Sequence, residues 1–196
     1  VARDAGVPTG GPPALVRATG RLLARRGVRV HAGRGVARLE AGRALLDSGE
    51  AVPFGLCVWA TGAAAPPLLR ESGAAVDGAG FLSVHDTLES VSHPGLFAAG
   101  DCAAFASGQR VPRAGVFAVR EAPVLLANVR AALAGVPARA PFRAQAGALA
   151  LLNAGDGTAV GAFGGLAFGG RWAWHLKDRI DRRYMRGLQR LAEGGR

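Results

Sequence analysis

Two apolar runs in this chain each end in a small-residue turn: Val58-Trp59-Ala60-Thr61-Gly62 and Leu96-Phe97-Ala98-Ala99-Gly100-Asp101. A glycine at the carboxyl end of a strand removes the Cβ, so a ligand's phosphate or sugar can come close to the backbone. An aspartate there accepts hydrogen bonds from sugar or polyol hydroxyls. In doubly wound sheets the ligand crevice lies outside the carboxyl ends of the strands. The spacing therefore marks Gly62, Gly100 and Asp101 as candidate binding residues.

Other chemistry is sparse. Cys57 and Cys102 are too far apart in sequence for a CxxC redox pair, a zinc cluster or a disulfide scaffold. Cys102 directly follows Asp101, and a small buried thiol is its ordinary role. His31, His85, His93 and His175 have no metal-ligand spacing. Arg120 and Glu121 either line a substrate channel or belong to a solvated helix face. No G-x-G-x-x-G fingerprint occurs: the Gly33, Gly78 and Gly155 stretches all fail at the third glycine.

These residues need elements to hold them. Pro12-Pro13 opens a helix on which Leu15, Ala18, Thr19, Leu22 and Leu23 share a face, with Gly27 at the C-cap. Val28, Val30 and Ala32 alternate as a strand that Val36 to Glu40 continues. Ala44 to Asp47 and Glu50 to Pro53 predict a hairpin turning at Ser48-Gly49. Residues 56–60 and 96–99 read as strands buried on both faces of a parallel sheet. A long helix is expected from Val116 to about Leu133, closed by Gly135 and Pro137. Three short strands follow, at 149–152, 158–163 and 166–168, and a last helix from Trp172 to Leu191. The order implies an α/β region with an appended α+β domain.

Composition narrows the classes. The chain has 196 residues, 49% hydrophobic and 19% charged, which suits a packed core. Its net charge is +10, yet Lys177 is the single lysine among 24 cationic residues. Such arginine, alanine and glycine usage reflects codon bias more than function. Residues 51–170 are balanced at seven cations and seven acids, so the excess sits at the two ends. No basic face with interleaved aromatics argues for nucleic acid, the last helix apart. No leader-like start and no run of about 18 uncharged apolar residues is seen, so neither a secreted nor a membrane-spanning protein is expected.

The motifs VWATGAAAPPLL (58–69), HPGLFAAGDCA (93–103) and PRAGVFAVREAPVLLANV (112–129) together resemble the pyridine nucleotide-disulfide oxidoreductase superfamily. WHLKDRIDRRYM (174–185) is similar to its type II NADH dehydrogenase branch. The resemblance implies a partial two-dinucleotide-binding-domain, Rossmann-like flavoprotein fold plus a C-terminal α+β domain. It divides the chain into 1–56, the end of the NAD(P)-binding domain; 57–138, a returning FAD-binding segment; and 139–196, the C-terminal domain. Thr61 and Gly62 would pass near the FAD pyrophosphate, and Gly100 and Asp101 near the ribityl chain. The Arg113-Ala114-Gly115-Val116 loop would face the flavin's pyrimidine edge. A helix starting near Val116 supports that role independently, because its free N–H groups point at whatever precedes it.

The implied activity is FAD-dependent oxidation of NAD(P)H, with a quinone or another small molecule as acceptor and no catalytic acid, base or nucleophile from the chain itself. Both Gly-rich fingerprints would lie before this stretch, which reads as a truncated sequence. A non-catalytic FAD/NAD(P)-fold interaction module is the alternative. Trp172, Leu176, Ile180, Tyr184, Leu188 and Leu191 gather on one face of the last helix, with Arg179, Arg182, Arg183, Arg186 and Arg190 nearly opposite. That pattern suits an anionic membrane surface and equally a helix docked on its own domain. A cytoplasmic protein is expected, peripheral on the inner membrane face if the first pattern holds, and a homodimer is compatible with it.

Overall fold

The computed structural model describes residues 1–145, 147 and 149–194, with side chains as far as Arg190 in the last helix. In chain order the elements are α1 (Pro13–Arg25), β1 (Val36–Glu40), β2 (Arg43–Leu46), β3 (Ala51–Pro53), α2 (Pro67–Glu71) and β4 (Leu82–Val84). Then come β5 (Ala103–Phe105), α3 (Gly115–Leu133), β6 (Ala150–Asn153), β7 (Ala159–Phe163), β8 (Leu166–Gly170) and α4 (Arg171–Gly194). They form two compact units, Val1–Val58 with Gly147–Arg196, and Trp59–Ala146.

In the first unit Pro13 occupies the first turn of α1, where its missing N–H costs nothing. The helix ends as its sequence predicts. Gly27 turns left-handed at φ 70°, and its N–H and that of Val28 bond the carbonyls of Ala24 and Leu23. Leu15 is buried, and α1 packs on β7 and β8. β1, β2 and β3 form an antiparallel meander, the second turn at Ser48-Gly49 as expected. β6, β7 and β8 form another, with β7 central and α4 against it. Ala159, Ala162 and Ala173 are each at most 1% exposed, small side chains that let α4 lie close to the sheet.

The second unit is built on the parallel pair β4–β5. Ala74, Leu82, Val84, Ala98 and Ala103 form its core, with Leu69, Cys102 and Phe105 packed at the edge. α3 buries Phe117, Glu121 and Asn128. Asn128 bonds the Thr87 carbonyl and both backbone groups of Ala140, so the chain leaving α3 is tied back to the unit.

Three strand expectations are corrected. Residues 57–60 have no regular secondary structure, with Leu56 84% and Val58 80% exposed. A strand buried on both faces needs a partner on each side, and among the described residues none pairs with it. Val28 and Val30 are also exposed; their stretch keeps one parallel bridge, Ala2 with Ala32. Residues 96–99 carry a single bridge, Glu89 with Phe97, and the ladder strand is the next one, β5. That bridge is closed by Ala98 N–H donating to the Leu88 carbonyl and Ser90 N–H donating to the Leu96 carbonyl, with Leu88 itself left-handed at φ 66°. β4, β5 and the short α2 had no clear signal in the residues.

Candidate functional site

The site is a hollow in the second unit, bordered by Gly100, Asp101, Arg113, Ala114, Phe117 and Glu121. Gly100 begins a single 3-10 turn, Gly100–Cys102, after extended Ala99. Its φ is 68°, a conformation that favours glycine, and a Cβ there would come within 3.2 Å of the Ala118 Cβ. This turn swings the chain into β5 and leaves Asp101 exposed at the rim. The Asp101 carboxylate takes part in no hydrogen bond or ion pair among the described residues, while its backbone carbonyl accepts from Arg113 Nε at 3.2 Å. The Arg113 guanidinium also lies 3.5 Å from the centroid of the Phe81 ring, a cation–π contact.

Ala114, extended, precedes the first turn of α3 and has no side-chain cap. Phe117 N–H returns to the Ala114 carbonyl, whereas the N–H groups of Gly115 and Val116 have no acceptor among the described residues. The positive end of a 19-residue helix therefore opens beside Ala114. An unpaired carboxylate, a glycine turn and free helix-terminal amides are what a polyol carrying an electron-rich ring system would need. The residues fit such a group.

Of the sequence candidates, Gly100, Asp101 and Ala114 line the hollow, and Gly115 and Val116 form the adjoining helical turn. Thr61 and Gly62 lie in exposed chain without regular secondary structure and do not line it. Cys102 donates its thiol to the Ala99 carbonyl at 3.2 Å and is half-buried, an ordinary packing role. Among the described residues no His, Cys, Asp and Glu gather as a metal site.

Glu121, which the sequence offered either as a channel wall or as part of a solvated helix face, borders the hollow. The solvated face is overturned: Glu121 is 1% exposed, and its Oε2 accepts the Gly100 N–H at 2.5 Å. Its signal was its place four residues after Phe117 and seven before Asn128, on one helical face. Arg120 is exposed, as a solvated face requires.

Comparison with known proteins agrees with this geometry. Residues 9–122 match the family model of the pyridine nucleotide-disulphide oxidoreductases. This chain belongs to that family. A protein of Dictyostelium discoideum described as "Probable NADH dehydrogenase" is 37% identical over 59 residues, which are 30% of this chain and 13% of that one. The sulfide:quinone oxidoreductase of Aquifex aeolicus superposes with a TM-score of 0.71 at 17% identity, over 93% of this chain and 48% of that one. A FAD-dependent pyridine nucleotide-disulphide oxidoreductase from Desulfovibrio vulgaris gives 0.61 at 21% identity, covering 82% and 41%. The likeness establishes the mixed α/β, Rossmann-like fold, and the chain spans less than half the length of these relatives.

Proposed function

We propose that these residues belong to an FAD-dependent NAD(P)H oxidoreductase of the NADH dehydrogenase or quinone reductase kind. The observation that carries the reading is the hollow where the Gly100-Asp101 turn meets the start of α3. FAD, when bound, supplies two-electron redox chemistry between a nicotinamide donor and a small acceptor. The chain's own part is binding and electrostatics. Gly100 admits close approach to the backbone, and the Asp101 carboxylate accepts hydrogen bonds from polyol hydroxyls. The Gly115 and Val116 amides and the α3 dipole favour negative charge on the group beside them.

On this reading residues 1–56 close a nicotinamide-binding domain, 57–138 return to the flavin domain, and 139–196 form a C-terminal domain. Thr61 and Gly62 would then meet the cofactor in the complete protein. A quinone is the acceptor favoured, and the protein works in the cytoplasm or at the inner face of a membrane. The absorption spectrum of the complete protein tests the reading. Flavin bands that bleach on adding NADH or NADPH are expected; a colourless protein that takes up no FAD overturns it and leaves the non-catalytic module.

A further inference from the structure

We infer that Glu121 is a positioning residue for the flavin site, holding the Gly100 turn and through it the aspartate that meets the cofactor. The inference rests on the reading above, but its observations are separate. Among the described residues Glu121 is the one buried charged side chain, and no arginine, lysine or histidine forms an ion pair with it. A carboxylate taken out of water without an opposite charge is costly unless hydrogen-bonded. Its partner is the Gly100 amide, whose N–H donates to Oε2.

That amide belongs to a residue already constrained on its other side. Gly100 stands at φ 68° against Ala118, one turn before Glu121 on the same helix. Ala118 limits how near the turn can come to α3, and the carboxylate stops it from moving away. Asp101 is the next residue, so its backbone direction is set by this pair together with the Arg113 bond to its carbonyl. A leucine in place of Glu121 would fill the space and leave the half-buried Gly100 amide without its acceptor. Reach of the acceptor, rather than charge, is the requirement.

Two substitutions separate reach from charge. Glu121→Gln keeps an oxygen at the same distance and removes the charge; Glu121→Asp keeps the charge and draws the oxygen back by one methylene. Both are made in the complete protein, stripped of flavin and titrated with FAD, with unfolding midpoints and amide exchange at Gly100 recorded. The expected result is an FAD dissociation constant within about threefold of wild type for Glu121→Gln and raised about tenfold for Glu121→Asp, as for loss of one hydrogen bond. Slow Gly100 exchange is expected in wild type and Glu121→Gln before FAD is added, and faster exchange in Glu121→Asp. Unchanged affinity in a folded Glu121→Asp, or equal loss in both variants, overturns the inference. Should Glu121→Asp not fold, fast Gly100 exchange in the flavin-free wild type overturns it and slow exchange supports it. A wild type that binds no FAD overturns the reading beneath it as well, and is recognised by all proteins remaining colourless.

Discussion

Arg113 Nε donates to the backbone carbonyl of Asp101 across 3.2 Å, so the residue that leads into α3 also holds the turn bearing the exposed carboxylate. Its guanidinium rests over Phe81 at 3.5 Å. Arg113→Ala should weaken FAD binding several-fold while lowering stability by only about 0.5–1 kcal/mol, the scale of an exposed cation–π contact. Arg113→Lys should recover little, because an ammonium cannot stack flat and donate sideways together. Paired FAD titrations and denaturant curves check both.

Asp101 and its neighbour Gly100 should fail differently. Asp101→Ala removes a carboxylate that bonds nothing else described, so the unfolding midpoint should hold while FAD affinity falls about tenfold or more. Gly100→Ala puts a Cβ at φ 68° and 3.2 Å from the Ala118 Cβ, which should cost about 1–2 kcal/mol of stability as well as affinity. Thermal unfolding beside flavin content separates the two. Equal stability loss in both variants would contradict this assignment.

Asp156 gives a pH dependence. Its carboxyl lies below the usual 3.8, first through the Thr158 hydroxyl and then, against some desolvation, through the Thr158 amide and Arg26. Arg26 follows the end of α1 and pairs with Asp156 in the β6–β7 turn. A carboxyl lowered on folding contributes stability that is full above its unfolded value and lost as pH falls through the folded one. Asp156→Asn should therefore unfold earlier in urea than wild type at pH 7, and the gap should close below pH 3.8. A gap that persists unchanged at low pH would assign the effect to packing.

The far part of α4 is open to test. Its start packs on the β6–β8 meander through Ala173, with Trp172 stacked on Phe168 at 5.0 Å, but every described side chain from Arg179 to Arg190 is exposed. Docking on its own domain thus accounts for the first turns only; the Leu191 side chain lies outside the described residues. Ile180, Tyr184 and Leu188 stay uncovered on one face, and Arg182, Arg183, Arg186 and Arg190 are exposed on the other. If this stretch meets anionic lipid, each arginine adds roughly 1 kcal/mol near the surface. The complete protein should then sediment with anionic vesicles at low salt and release at high salt. Absence of binding at low salt would remove the membrane role. No described helix is long and apolar enough to cross a bilayer.

Local pattern was enough for α1, α3, α4, the β2–β3 hairpin and the β6–β8 meander. Their caps, turns and periodicities are written within a few residues of one another: Gly27 and Gly135 end helices wherever the rest of the chain goes. The GD turn and the loop before α3 were legible for the same reason. Residues 56–60 were not, because an apolar run becomes a buried strand only where partners exist on both sides. Residues 96–99 keep a single bridge, Phe97 with Glu89, and the laddered strand is β5, whose partner β4 lies some twenty residues earlier. Glu121 reads as surface charge in any helical segment taken alone. Only the approach of Gly100, 21 residues earlier, makes it a buried hydrogen-bond acceptor, since burial belongs to the contact between two segments and to neither by itself.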